Sequence, residues 1–405
     1  MTRRLYLLDS MLSAFDAKVT ACEPVADGFL TELDQSAFFP NKGGQPCDVG
    51  TLGGARVLDV NEDGERLLHK TDRALPVGAS VRGELDFERR FDIMQQHTGE
   101  HLLSYCAWTL FGAQNVGFHC ALTYATLDLD KPVGHDGIAE IERLANRLAA
   151  DNARVTATIY ETEADLAGIP LRKHAEGLTA PIRIVTIEGS DACTCCAPHV
   201  RRTGEIGQLK IVEAIPYKGG TRCTFLCGMR ALAHAQTMQD TVASIALRFS
   251  TSREQAETAV EKQGEELSNV RRELKQATAA LDGYLVQSLC AEAEDVNGTK
   301  LIVKILEHVD AKRLRAIAGG TMAPRALTVL FADTGDRVSY ILASNGVKAD
   351  MGVLIGAVNA ALSGNGGGRG TLAQGSAKRP SGLSETVETL HTYFKNVLSH
   401  GTDRE

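Results

Sequence analysis

The sequence predicts an α+β chain: a small N-terminal β-barrel, an α+β domain, a helical connector and a C-terminal α/β domain. Three observations lead there. Short alternating stretches separated by turn clusters fill the first ninety residues, such as 57–60 and 81–85 around Gly53-Gly54 and Asn61-Glu62-Asp63-Gly64; several strands at that spacing make a small barrel. Strand and helix periods then alternate to about residue 235. A heptad pattern follows, and after it a third run of apolar strands. The 405 residues suffice for two to four domains, each with its own core.

Composition narrows the class. Apolar residues make up 43% and charged residues 23%, as in globular proteins, which excludes disordered and collagen-like chains. No run of about 18 apolar residues occurs, so no membrane span is expected. The N-terminus lacks the apolar segment of a signal peptide, and a cytoplasmic location is expected. Ten unevenly spaced cysteines then read as thiols or metal ligands rather than a disulfide framework. The net charge of −8 argues against a general nucleic-acid binder, so any RNA contact must use a local basic patch.

The expected domains are 1–90, 91–235, 236–289 and 290–405. After Glu88-Arg89-Arg90 the period turns helical over 91–110, with Gly112 as the stop. Strands are expected over 121–130, 154–159, 182–188 and 207–214, and a helix over 138–151. In 236–289, Val260, Gln263, Leu267, Val270, Leu274, Ala277, Leu281 and Tyr284 fall alternately three and four apart. This reads as an amphipathic helix packed on its own chain. The alternative is a homodimeric coiled coil, which Gln263 and Gly264 weaken, so monomer and homodimer both stay open. Beyond 290, strands are expected over 301–306, 326–331 and 338–343 and a helix over 353–362. Residues 364–370 read as a flexible glycine-rich loop. The stretch 364–380 carries Arg369, Lys378 and Arg379 and no acid, which makes it the clearest basic patch.

Two constellations carry chemistry. In His97-Thr98-Gly99-Glu100-His101 the histidines lie at i and i+4, on one helix face, where they can share a metal. In Cys193-Thr194-Cys195-Cys196-Ala197-Pro198-His199, Cys195 and His199 supply a thiolate and an imidazole from a loop. Two such pairs suit tetrahedral zinc. Cys193 and Cys196 compete for the ligand role. Cys223 and Cys227 read as buried small hydrophobes on one face of a strand.

These residues carry a resemblance. Phe38-Phe39-Pro40-Asn41-Lys42-Gly43-Gly44-Gln45-Pro46, the stretch from Arg90 through His97 and His101 to Leu103, and Cys195-Cys196-Ala197-Pro198-His199-Val200 followed by Thr203-Gly204-Glu205-Ile206-Gly207 resemble the stand-alone alanyl-tRNA editing proteins, the AlaX group. The same segments resemble the editing part of alanyl-tRNA synthetase. Gly366-Gly367-Gly368-Arg369 with Ala373-Gln374-Gly375 resembles the DHHA1-type C-terminal domain. The sequence departs from the family where Cys196-Ala197-Pro198 replaces the usual Gly-Gly-Thr, and where Gly370-Thr371 replaces Pro-Asp.

The resemblance implies a fold of barrel, zinc-containing editing domain, heptad connector and DHHA1-like domain. It implies hydrolysis of the ester on mischarged tRNA(Ala), seryl and as a second candidate glycyl, with one zinc per chain held by His97, His101, Cys195 and His199. It leaves open whether all four bind or three bind beside a water. A pocket for alanine rejects the added hydroxyl of serine poorly, so a second hydrolytic site is needed. Thr98 is a candidate for binding the serine hydroxyl, Gln95 and Gln96 for orienting water or the ester carbonyl, and Glu100 for a base, with an exposed helix face as its plainer reading. Arg369, Lys378 and Arg379 are the candidate tRNA contacts. No stretch resembles the aminoacylation domain, so an editor acting in trans is expected. The rivals are a non-enzymatic zinc-stabilised RNA-binding protein and an editor for another tRNA such as tRNA(Thr).

Overall fold

The computed structural model describes residues 2–172, 181–347 and 349–400. The chain forms two compact units, Met1–Arg248 and Phe249–Glu405.

In the first unit six strands close into a barrel in the order Ala14–Val25, Gly28–Leu33, Arg66–Thr71, Ala55–Asp63, Gly50–Leu52 and Ser80–Leu85. Alternation drives this closure. Phe15, Ala17 and Val19 point inward with Val57, Val60, Leu67, Val81 and Leu85, while alternate residues such as Asp16, Lys18, Arg82 and Glu84 meet solvent. His69 is wholly buried in the barrel. It is satisfied by Ser36 Oγ at 2.7 Å and the Thr31 carbonyl at 3.1 Å, and burial pushes its pKa down to about 4.

Helix α1, Phe87–Phe111, leaves the barrel. It starts a turn earlier than the sequence indicated. The Asp86 side chain accepts from the Arg89 backbone N–H, a regular N-cap. Arg90, read as part of a charged boundary, is only 1% exposed. Its Nε donates to Asp48 Oδ1 at 2.8 Å, and its other nitrogens bond Asp48 Oδ2 and the carbonyls of Ala37 and Ser10. This buried pair fastens the helix to the barrel. Gly112 ends the helix with φ at +59°, as the sequence indicated.

One face of α1 packs on helix α2, His135–Ala150, and on a four-stranded antiparallel sheet ordered Leu209–Tyr217, Gly220–Cys227, Ala125–Leu129, Asn115–Cys120. A three-stranded sheet joins Val155–Tyr160, Ile182–Ile187 and Ala192–Thr194. The unit ends with helix α3, Met229–Arg248.

The expected connector 236–289 therefore straddles the border between the units: α3 lies before it and helix α4, Ala256–Ala291, after it. The expectation of a seam packed on its own chain is not met along α4. Val260, Leu267, Val270, Leu274, Leu281 and Tyr284 are all exposed. Only the last turns, with Leu285, Val286 and Leu289, join an apolar cluster with helix α5, Ala311–Gly320.

The second unit is built on a six-stranded sheet. Its strands run Glu294–Val296, Thr299–Glu307, Ala326–Asp333, Arg337–Asn345, Leu372–Lys378 and Asn365–Arg369. Thr299–Glu307 and Ala326–Asp333 are parallel and linked through α5; the other neighbours are antiparallel. Helices α6, Met351–Leu362, and α7, Leu383–His400, complete the core.

The glycine run is not a loop. Asn365–Arg369 is a strand, turned back at Gly370 (φ +68°) to pair with Leu372–Lys378. A Cβ at Gly368 would stand 2.2 Å from the Leu372 carbonyl oxygen, and one at Gly375 would stand 2.4 Å from the Tyr340 ring. The glycines serve close approach, not mobility.

Candidate metal centre and its cavity

The i, i+4 pair lies on α1 and faces the loop after Ala192–Thr194. A single ligand atom from each of His97, His101, Cys195 and His199 falls within 4.8 Å of all the others. Cys195 Sγ is 3.5 Å from His97 Nε2 and 3.2 Å from His199 Nε2. A tetrahedral zinc with bonds of about 2.0–2.3 Å spaces its donors about 3.4–3.6 Å apart, so the set fits that ion.

The outer contacts agree. His97 Nδ1 meets Gln45 Oε1 at 2.6 Å and His101 Nδ1 meets Asp191 Oδ2 at 3.1 Å. His199 Nδ1 meets Thr98 Oγ1 at 3.0 Å. Thr98 Oγ1 donates to the Met94 carbonyl at 2.8 Å, so toward His199 it accepts. Each ring thus has an acceptor at Nδ1. The proton stays there, and the Nε2 lone pair is left to bind a cation.

Electrostatics agree at Cys195 and His199, while at His101 burial is outweighed by Cys193 and Asp191, which raise its pKa well above the imidazole range. Burial opposes a charge on Cys195, yet His97 and His199 beside it bring its pKa well below the ordinary thiol range. Burial pushes His199 down to about 3, which keeps it neutral. Asp191 is held down at about 2 against its burial by His101 and by Arg172, whose Nε bonds it at 2.6 Å. The loop is shaped by Arg183, whose Nη1 spans the carbonyls of Cys195 (2.8 Å) and Ala197 (2.9 Å). Ser10 Oγ donates to the His199 carbonyl at 2.6 Å.

The rival thiols are placed elsewhere. Cys193 is buried beside His101, 3.4 Å from Nδ1 and 3.9 Å from Nε2, in a second metal-type group with His101 and Asp191. Cys196 leans toward the barrel core. Cys223 and Cys227 are buried on their strand and belong to neither group.

The centre forms one wall of a cavity of about 390 Å³. Gly43, Glu100, Asn115, Val116, Gly117, Phe118 and Arg172 line the remainder with Cys193, Thr194, Cys195, Cys196 and Ala197. Thr98, Gln95 and Gln96 do not line it. Thr98 is fully buried behind His199. Gln95 Nε2 donates to the Glu205 carbonyl at 2.8 Å. Gln96 clasps the Cys227 backbone, accepting at 2.8 Å and donating at 3.2 Å. The exposed face expected for Glu100 is also overturned, since this side chain is buried at the cavity wall.

Sequence reasoning missed Asp191, Arg172 and Arg183 and gave no role to Gln45. Only Gln45 left a signal, its place in the glycine-rich motif. Far along the chain, Arg369, Lys378 and Arg379 are all exposed, and Arg379 also pairs with Asp333 at 2.7 Å.

Residues 182–222 match the threonyl and alanyl tRNA synthetase second additional domain, and 298–396 match the DHHA1 domain. The alanine–tRNA ligase of Thermococcus kodakarensis is 30% identical over 402 residues, 96% of this chain and 43% of that protein. That of Pyrobaculum neutrophilum is 32% identical over 417 residues, 98% of this chain and 44% of that protein. The chain thus spans less than half the length of these relatives. The crystal structure of the C-Ala domain from Aquifex aeolicus alanyl-tRNA synthetase matches 27% of this chain and 98% of its own, with 26% identity and a TM-score of 0.24. With these two domains and these relatives, the chain resembles alanyl-tRNA synthetase over nearly all of its length, and with it the alanyl-tRNA editing proteins of the AlaX group.

Proposed function

We propose that the protein is a zinc-containing hydrolase that deacylates mischarged tRNA(Ala), with seryl-tRNA as substrate and glycyl-tRNA as a second one, acting in the cytoplasm. The observation that carries this reading is the convergence of four metal-type donors, three of which, His97, His101 and Cys195, line a cavity large enough for a small amino acid and its ribose. The cavity lies in a chain that resembles alanyl-tRNA synthetase. Among the described residues no helix is long and apolar enough to cross a membrane.

The reaction adds water to the ester carbonyl, breaks the bond to the ribose oxygen and releases the amino acid. Bound zinc would supply a positive charge that orders the four donors and stabilises charge on oxygen beside them. With all four donors in reach the centre is closed, which favours the organising role over water activation. Gln45, Asp191 and Thr98 hold the three imidazoles in the tautomer such a centre needs. On the C-terminal unit, Arg369, Lys378 and Arg379 are the side chains offered to tRNA phosphates.

Measuring the release of serine and of alanine from tRNA(Ala) tests the reading. Rapid loss of serine with alanine retained is expected. Zinc-loaded protein that binds tRNA but hydrolyses neither ester would establish the RNA-binding alternative. Activity on seryl-tRNA(Thr) alone would establish the other editor.

Thr98 takes a different role from the one its sequence position suggested. Buried behind His199, it positions a ligand rather than reading the serine hydroxyl. Thr98→Val should weaken zinc affinity about 10–100-fold and slow seryl and glycyl hydrolysis alike. A loss confined to the seryl ester would restore the original role.

A further inference from the structure

Glu100 is the one side chain of the cavity wall whose charge the centre leaves unused. It sits between the two α1 ligands with its side chain 5% exposed. Oε1 is held by Ser104 Oγ and Asn115 Nδ2, which also bond each other at 3.1 Å. Oε2 accepts no hydrogen bond among the described residues, and His101 Nε2 is 3.9 Å away. Among the described residues the one fully buried side-chain nitrogen or oxygen without a partner is Arg89 Nε, so Oε2 is not fully buried. Oε2 is therefore open to the cavity that Glu100 lines. Arg172, also at this wall, is paired with Asp191 through both carboxylate oxygens, at 2.6 and 3.0 Å. The cavity presents one carboxylate oxygen without a hydrogen-bond partner among the described residues beside the metal-type donors.

We infer that Glu100 binds the α-ammonium group of the aminoacyl ester and so restricts hydrolysis to esters with a free amine. This rests on the editing reading and adds a selectivity to it. A carboxylate removed from water favours a cationic N–H donor, and a charge-assisted hydrogen bond is stronger than a neutral one. An N-acylated amino group has lost the charge and fills the same place with a bulkier neutral amide. Oε2 would then be left facing an amide it cannot match. Aminoacyl-tRNA with a blocked amine, including peptidyl-tRNA, is spared.

The test compares seryl-tRNA(Ala) with N-acetylseryl-tRNA(Ala) made from the same charged sample. Wild-type protein should favour the free amine in kcat/KM by at least about tenfold. Glu100→Gln keeps an oxygen for Ser104 and Asn115 and removes only the charge. It should lose most of that preference, through slower hydrolysis of the free-amine ester, while zinc content and tRNA affinity stay unchanged. If the preference persists in Glu100→Gln, or both esters slow equally, the assignment is overturned. Should the variant not fold, wild-type protein decides: equal rates on the two esters overturn it. Wild-type protein inert on both esters ends the editing reading instead, a distinct result.

Discussion

Cys195→Ala is expected to release the zinc and abolish deacylation together. Cys195 is the one donor whose sulfur lies within 3.5 Å of two ligand nitrogens, so it stands at the centre of the set. Removing it takes away the one thiol donor of the four and leaves only imidazoles. Loss of a second-shell partner already costs about 10–100-fold in metal affinity, and loss of the charged ligand should cost more. Metal analysis after dialysis should fall from one zinc per chain to almost none. Serine release from seryl-tRNA(Ala) should drop at least about 100-fold. The fold should survive, because Arg183 and Ser10 hold the loop through backbone carbonyls that the substitution leaves in place. A variant that keeps stoichiometric zinc would place the ion elsewhere, with the His101, Asp191 and Cys193 group as the next site to examine.

Asp48→Ala should have the largest effect on stability. It leaves the Arg90 guanidinium buried without its counter-ion and also takes the acceptor from the Phe39 backbone N–H at 2.6 Å. Breaking a buried ion pair by removing one partner costs about 3–5 kcal/mol. Desolvation of the orphaned charge, rather than the worth of the pair, sets that figure. Asp48→Ala combined with Arg90→Met should therefore recover part of the loss. The chain has a single tryptophan, Trp108 on α1, so its emission follows unfolding of the first unit separately from the second. Urea titrations read by this probe should show a lower midpoint for Asp48→Ala. An unchanged midpoint would mean that the charge finds water through a local opening.

Local pattern made a good part of the protein legible, and tertiary context hid the rest. The strands of both sheet-rich regions announce themselves because one face of each is buried. The four donors announce themselves because helix spacing and a Cys-x-x-x-His loop are visible in one dimension. Gln45, Asp191 and Arg172 are not, since each reaches the centre from another element. Two misreadings took polarity for exposure: Arg90 and Glu100 are polar residues on a helix that runs through the interior, where one finds a partner and the other a cavity wall. The reverse error occurred on α4, where apolar seam positions face solvent. The glycine run 364–370 was misread because glycine marks close packing as readily as freedom.

The Arg183 bridge across the two carbonyls bears on how the centre is loaded. Because guanidinium and peptide oxygens settle the contour of 195–199 as part of folding, the donor-bearing segment has little wandering left to give up when an ion arrives. On the proposed zinc reading, capture and release would be small local adjustments, and the protein would equilibrate with labile zinc as a finished receptacle rather than as a chain assembled by its cargo.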